Sequence, residues 1–595
     1  MEVQHGSVRS PPYICCGLYS TSFCWGIPVA GAAKSSKAEE TKRLSHGLRG
    51  ALTAELAGPE SHFAAAEQLL LKFHGTYQGY DRDSATELKQ QGLEKQWEFM
   101  VRAKIPGGRL TPEQYLALDA LAERHGGGNL RITTRQGVQF HGIIKRDLKA
   151  TIAAINRALL TTFAACGDVV RNVTATPAPI ADAVHRRLQA DAKMLSEELA
   201  PKTNAYHEIW LDGEAVAGEV DEPLYGPSYL PRKFKIGLAT PEDNSIDVLT
   251  NDLGIIALFE GERLVGYNLA LGGGLGMTHN KPKTYPRLAT PIAFIEPDGL
   301  LAGVKAVIQL QRDHGDRADR KHARLKYLVQ ENGVDWTRAT LEGIFCRTLA
   351  DPKPMPPFRV IDHTGWHEQG DGRWYFGLAI ANGRVKDEGS LRLRTALRTV
   401  IQRFRPTPIL TPGQGIILGD VDAADRAEIE AVLSQHGVSL PHALKPIARW
   451  ALACPALPSC GLALNEAERI RVPLIAEIEA VLVRHGLGDE EISVRITGCP
   501  NGCARPYAGD IGIVGRTPRE YALYLGGDFA GTRLNRLVFE RIDLAEIAAT
   551  LEPLFEAFAR DRWPGEGFGD FCHRRSNAEL IALVDAARPP AARVA

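Results

Sequence analysis

The chain of 595 residues is written twice. The segment Ile105–Leu110, a helical pattern and the segment Leu130–Gly142 return as Ile380–Val385, a second helical pattern and Pro408–Gly419. Arg109 and Arg384 lie 275 residues apart, and Gln136 and Gln414 lie 278 apart. Each copy reads strand, helix, strand, with the apolar alternation of a half-buried sheet. A second kind of segment runs through Lys233–Ala239, Asn251–Ala257 and Gly266–Gly274. It returns as Ser493–Cys499, Gly509–Gly515 and Tyr521–Gly527, at separations of 260, 258 and 254 residues. A separation that drifts slowly in one direction is what duplication with small insertions leaves behind. The order A–B–A′–B′ predicts an α+β chain, internally duplicated, with mixed sheets and ferredoxin-like half-domains around a central cofactor cleft. The expected bounds are 41–160 for A with an N-terminal arm, 161–345 for B, 346–425 for A′ and 426–595 for B′.

Residues 1–40 are expected to lie outside the core, as a disordered extension or a stretch upstream of the true start. Ser10–Ala33 carries no charge and holds Cys15, Cys16 and Cys24. Its apolar run is broken by Ser20, Thr21, Ser22, Gly26 and Pro28, which argues against a spanning helix. No twin arginine precedes it. The expectation is a cytoplasmic protein with no membrane partner. A formal net charge of −1 and a pI near 7.0 supply no global basic field for nucleic acid. Anion chemistry must come from local clusters.

Ten cysteines in a chain of this length are too sparse for a disulfide scaffold. Four form two short motifs: Cys454 and Cys460 with five residues between them, and Cys499 and Cys503 with three. Four thiolates on two loops suit one [4Fe–4S] cube. The Pro and Gly residues around them free backbone N–H groups to point at sulfur. Zinc is the alternative, but structural zinc favours pairs spaced by two to four.

A set of cations has no obvious carboxylate nearby. Arg102 and Lys104 lead into the first A strand; Arg131 and Arg135 lie in its closing strand with Thr133, Gln139 and His141; Arg171 opens a β-prone run. Lys233 and Lys235 share one face of a strand. Two like charges there need an anion between them or solvent around them; a solvated edge strand is the plainer explanation.

These residues together resemble the sirohaem and [4Fe–4S] sulfite and nitrite reductases, and among them most of all the haemoprotein component of assimilatory sulfite reductase. The resemblance spans residues 40–571. It rests on Thr133–Gln136, Gln139–Gly142, Leu230–Lys235, Gly272–Gly274, Cys454 with Cys460, Thr497–Cys503 and Gly565–Asp570. It implies that Cys454, Cys460, Cys499 and Cys503 hold the cluster, with Cys503 also ligating the sirohaem iron. It implies that Arg102, Arg171, Lys233 and Lys235 bind sulfite above that iron for a six-electron reduction to sulfide. It implies that Arg131, Thr133, Arg135, Gln139, His141 and Asn501 bind sirohaem, whose carboxylates call for forked donors.

Two features qualify the resemblance. Cys166 and Tyr77 match a pair that is covalently joined in some ferredoxin-linked members, while an ordinary buried thiol is the plainer reading. No G-x-G-x-x-G turn is present, so electrons must come from a partner protein, either an NADPH-dependent flavoprotein or ferredoxin. Cys346 and Cys572 have no assigned role. A ferredoxin-dependent nitrite reductase with the same cofactors is the alternative function. A non-catalytic iron–sulfur carrier would explain the cysteines but neither the cations nor the duplication.

Overall fold

The computed structural model describes residues 35–214 and 221–587; Cys15, Cys16, Cys24 and the uncharged N-terminal stretch lie outside the described residues. The chain is packed from Ser36 onward: Ser36 N–H donates to Arg317 O at 3.0 Å, and Glu39 is buried beside Lys42 and Arg317.

The duplication is visible strand by strand. Module A holds β1 (Thr76–Tyr80), β2 (Trp97–Ala103), β3 (Leu130–Ile132) and β4 (Val138–Ile143), in the antiparallel order β1-β2-β4-β3. Module B holds β5 (Thr174–Ala175), β6 (Ile236–Ala239), β7 (Leu253–Glu260), β8 (Arg263–Leu271) and β9 (Thr290–Ile295). These pair in sequence order, the first two contacts parallel and the last two antiparallel. Module A′ contributes β10 (Gly365–Glu368), β11 (Trp374–Leu378), β12 (Arg384–Val385), a small ribbon of β13 (Asp387–Glu388) and β14 (Leu391–Arg392), then β15 (Thr407–Leu410) and β16 (Ile416–Val421). Its sheet order β10-β11-β16-β15 repeats that of A. Module B′ holds β17 (Leu452–Ala453), β18 (Val494–Thr497), β19 (Ile511–Gly515), β20 (Glu520–Leu525) and β21 (Arg536–Asp543), with the same parallel and antiparallel pattern as B. The α+β reading with mixed sheets and ferredoxin-like halves is borne out.

Register corrects one repeat anchor. Ile236 pairs with Leu253 as Val494 pairs with Ile511, so the separation at this strand is 258, not 260. The true counterpart of Lys235 is therefore Ser493, not Arg495.

The A modules also exchange strands. β12 of A′ pairs with β3, Arg384 opposite Arg131, and reciprocally Arg109 bridges to Ile409 on β15. Between β3 and β4, Gln136 sits at φ 53° and is fully buried. Its carboxamide donates to Gly107 O (3.0 Å) and Ala175 O (2.9 Å) and accepts from Ala175 N–H (2.9 Å). Gln414, at φ 66°, makes the matching bonds to Asn382 O (3.2 Å), Ala453 O (2.9 Å) and Ala453 N–H (3.1 Å). Each glutamine thus completes the edge of β5 or β17 with one side chain. Thr133 and Thr411 shape the two turns, each accepting the N–H of the glycine four residues on.

Helices cover the sheets. Pro112–His125 starts at a capping box between Thr111 and Gln114, with Pro at its first turn, and ends at Gly126. One apolar core runs through A, B and A′, and a second lies within B′.

Replacing Gln136 or Gln414 by Ala removes three hydrogen bonds and strands their buried backbone partners. Each substitution is expected to lower the unfolding free energy by about 3 kcal/mol, measured by urea titration. An unchanged midpoint would show that the turns hold without the carboxamide.

Candidate active site

The face of the A sheet carries a row of cations. Arg102, Gln139, Arg131 and Arg384 stand opposite one another across β2, β4, β3 and β12. Arg384 and Arg131 share Glu468, at 2.7 and 3.3 Å. Arg102 makes no ion pair with a described carboxylate: Nη1 lies 2.8 Å from Cys166 Sγ, and its Nε donates to the Gln139 carboxamide oxygen at 3.2 Å. His141 sits against Arg384 at 3.3 Å, and burial together with Arg384, Arg131 and Arg102 holds it neutral, well below its ordinary pKa.

Arg171 lies across from this row. Its guanidinium donates to Gly167 O at 3.2 Å and to the Tyr77 hydroxyl at 3.4 Å. Tyr77 and Cys166 therefore flank the same Arg102–Arg171 pair, and Cys166 is a free buried thiol. The Arg171 loop is anchored by Asp168, whose carboxylate takes both arms of Arg320 (2.6 and 3.0 Å) and approaches Lys42 (3.6 Å) and Arg232 (4.0 Å).

Beyond Arg171 opens a small polar cavity between B, the A turn and the Cys503 loop. Of the residues singled out from sequence, Arg135, Lys233, Lys235, Asn501 and Cys503 line it. Neither lysine ammonium has a hydrogen bond or ion pair among the described residues. Burial and their cationic neighbours, Arg232 and Arg171 for Lys233 and Lys233 and Arg135 for Lys235, push both well below the usual lysine range. Arg135 donates to Asn251 Oδ1 (2.8 Å) and Ile236 O (3.0 Å) while its buried Nε has no partner. Thr133 turns its hydroxyl to the backbone of its own turn, and Thr134 lines the cavity instead, donating to Cys503 O at 3.2 Å.

Sequence reasoning missed Arg324, Arg505, Asn251 and Lys326. Arg324 clasps Asp252 (3.0 and 2.6 Å), Arg505 pairs with Asp247 (2.9 Å), and Lys326 holds the carbonyls of Gly274 (3.0 Å) and Gly276 (2.8 Å). Each is paired by a residue distant in sequence, so no local pattern announces it.

The four cysteines gather at one end of the B′ sheet. Cys454 follows β17, and Cys499 and Cys503 follow β18. Gly498 N–H points at Cys454 Sγ at 3.3 Å, the N–H groups of Leu462 and Ala463 at Cys460, and Asn501 at Cys499, its side chain at 3.5 Å. Cys503 is exposed and faces the cavity. Burial and the other thiols raise Cys454 and Cys460 and push Cys499 up to about 12. Among the described residues no three His, Cys, Asp or Glu side chains converge on a single-ion geometry.

The donor set fits an iron–sulfur cluster beside a polycarboxylate macrocycle: four neighbouring thiols, three of them with N–H donors, two unpartnered half-buried lysines, and an orphaned Nε on Arg135. Burying an unpaired cation costs several kcal/mol, so an anion belongs here.

Known proteins agree. Residues 93–158 match the family described as Nitrite/Sulfite reductase ferredoxin-like half domain, and residues 190–345 that described as Nitrite and sulphite reductase 4Fe-4S domain. The chain is 47% identical over 549 residues to the Sulfite reductase [NADPH] hemoprotein beta-component of Myxococcus xanthus, covering 92% of this chain and 98% of the relative. It is 44% identical over 568 residues to the Sulfite reductase [ferredoxin] of Synechococcus elongatus, covering 92% and 90%. The structure of the Mycobacterium tuberculosis NirA protein superposes with a TM-score of 0.74 at 24% identity, covering 91% of this chain and 97% of that one, a likeness of fold. The chain belongs to the nitrite and sulfite reductase family. The 4Fe-4S match falls on B, which carries the lysines, whereas the four gathered cysteines lie in B′.

Burial alone would raise the Asp168 carboxyl, but Arg320, Lys42 and Arg232 outweigh it and hold the carboxyl down to about 2. A depressed folded-state value stabilises above the unfolded pKa, and that contribution is lost as pH falls from about 4 toward 2. Asp168→Asn is therefore expected to cost about 2 kcal/mol at pH 7. Denaturant titration at stepped pH should show the gap closing below pH 4; a pH-independent gap would assign the loss to packing.

Proposed function

We propose that this chain is the haemoprotein of an assimilatory sulfite reductase, reducing sulfite to sulfide by six electrons. The observation that carries this reading is that Lys233 and Lys235 line the cavity at Cys503, with Arg171 acting on Lys233 and Arg102 sharing Tyr77 with Arg171, and none of the four has an ion pair to a described carboxylate. When bound, a sirohaem and a [4Fe–4S] cluster, held by Cys454, Cys460, Cys499 and Cys503, would relay the donor protein's electrons to sulfite. Arg131, Thr133, Arg135, Gln139, His141 and Asn501 would hold the macrocycle. Arg135 keeps an unpaired Nε for its carboxylates.

The four cations hold a small oxyanion and offset charge as S–O bonds weaken; donors of this kind are worth about 10²–10³ in rate each. Lys233 and Lys235 also stand ready to give protons, because burial and mutual repulsion ease their deprotonation. The charged ammonium is the form that holds the anion, so affinity for sulfite falls as pH rises through the lysine titration.

The relatives named above use NADPH in one case and ferredoxin in the other, so the donor is assigned by assay with each. Among the described residues no helix is long and apolar enough to cross a membrane.

Lys233→Ala should lower kcat/KM for sulfite by at least ~10²-fold with acid-labile sulfide unchanged; wild-type turnover would remove Lys233 from the anion site. Cys503→Ser should lose the haem absorption or its coupling to the cluster, and an unchanged spectrum would argue against a shared thiolate. Turnover of nitrite in preference to sulfite, under the same reduced dye, would reassign the substrate.

A further inference from the structure

The duplication makes a second cavity. It lies where A′, B and B′ meet and is partly open to solvent. It is the pseudo-twofold mate of the cavity at Cys503. Pro412 and Gly413 stand where Thr134 and Arg135 stand, 278 residues apart, and Ser493 stands for Lys235. At the separation of 258, Ser245 takes the place of Cys503. The second copy has therefore lost the thiol and two of the unpaired cations, and its chemistry is different.

Its charges are three guanidiniums against two carboxylates. Arg449 pairs with Asp362 at 3.1 Å, while Arg495 (2.6 Å) and Arg505 (2.9 Å) share the single carboxylate of Asp247. His363 is matched by Asp243 at 2.7 Å, which adds no surplus. One positive charge is left over. Three buried polar atoms in the lining have neither a hydrogen bond nor an ion-pair contact: Trp450 Nε1, Arg495 Nε and Ser245 Oγ. All three can donate. The remaining walls are apolar and partly flat, with Trp450 set edge-on to Phe529 at 5.0 Å beside Leu378, Ile417 and Leu452. Buried donors without acceptors are costly unless a ligand supplies them.

We propose that this cavity binds a flat apolar molecule carrying one negative charge, an aryl carboxylate or sulfonate, with the ring against Trp450 and Phe529 and the anion at Arg495 and the Trp450 N–H. The proposal rests on the repeat geometry and stands apart from the reaction at Cys503.

The probe is 8-anilinonaphthalene-1-sulfonate, titrated into the full chain while tryptophan-to-dye energy transfer is read. One saturable site is expected, insensitive to excess sulfite. Gly413 has room for a side chain, since a Cβ there would meet only Thr411 Oγ1 at 3.6 Å, and its φ is not in the left-handed region. Gly413→Leu should thus obstruct the cavity and weaken dye binding at least about tenfold. Trp450→Phe keeps the ring and removes the N–H, and should weaken it severalfold even if Gly413→Leu fails to fold. Displacement by sulfite, absence of saturable binding, or undiminished affinity in both variants would overturn the proposal.

Discussion

Two buried side chains, Gln136 and Gln414, determine where the chemistry sits. Each lies at a left-handed turn of an A module and closes the edge of a two-residue strand in a B module. Ala453, held by Gln414, immediately precedes Cys454, so the first of the four gathered thiols is positioned by A′ as well as by its own sheet. Ala175, held by Gln136, lies just past Arg171 and Asn172, and Asn172 in turn bonds Ile105 O and Arg135 O, both at 2.7 Å. The residue before each glutamine faces the neighbouring cavity: Arg135 in one copy, Gly413 in the other. One polar interaction, repeated, thus sets both the frame and the difference between its halves.

Charge on that frame divides into two kinds. Asp252 with Arg324, Asp247 with Arg495, and Glu468 with Arg384 are buried pairs that join modules or brace loops. Arg324 and Arg384 are satisfied there and leave nothing for a ligand, whereas Arg495 divides Asp247 with Arg505 and keeps a free Nε. Arg102, Arg171, Lys233 and Lys235 are the remainder. Folded domains are stable by only about 5–15 kcal/mol, and an unpaired buried ion costs several. Two ammonium groups held charged without a counter-anion would consume a large share of that margin. The lowered lysine pKa values are the same statement in another form: without an anion the protons are released, and with one they are retained.

Much of this was legible in the sequence. The repeat was readable because sheet alternation and turn glycines survive divergence, and the cysteines because cluster ligation constrains spacing. The cations were singled out as lacking local carboxylates, which held for Arg102, Arg171, Lys233 and Lys235. It failed for Arg131, paired with Glu468. Arg324 and Arg505 were invisible because their partners Asp252 and Asp247 are 72 and 258 residues away. The strand exchange was equally hidden, since a two-residue strand such as Arg384–Val385 has no periodicity to detect. The anchor error of two residues arose because similarity was matched at Lys235 and Arg495, both basic, whereas backbone pairing aligns Lys235 with Ser493.

The two halves no longer do the same work, and neither is complete alone. B carries the unpaired lysines, B′ the thiols, and A an arginine row whose last member, Arg384, is donated by A′. Separated halves would expose the β3 and β15 edges that now pair across the duplication, and open sheet edges invite association with other chains. They would also leave Arg131 without Glu468 and Arg495 without Asp247, each a buried charge stripped of its partner. Divergence of the two cavities was therefore open to the chain, while independence of the two halves was not: the ion pairs and exchanged strands that hold the copies together are the same ones that bring the unpaired lysines of B beside Cys503 of the opposite repeat.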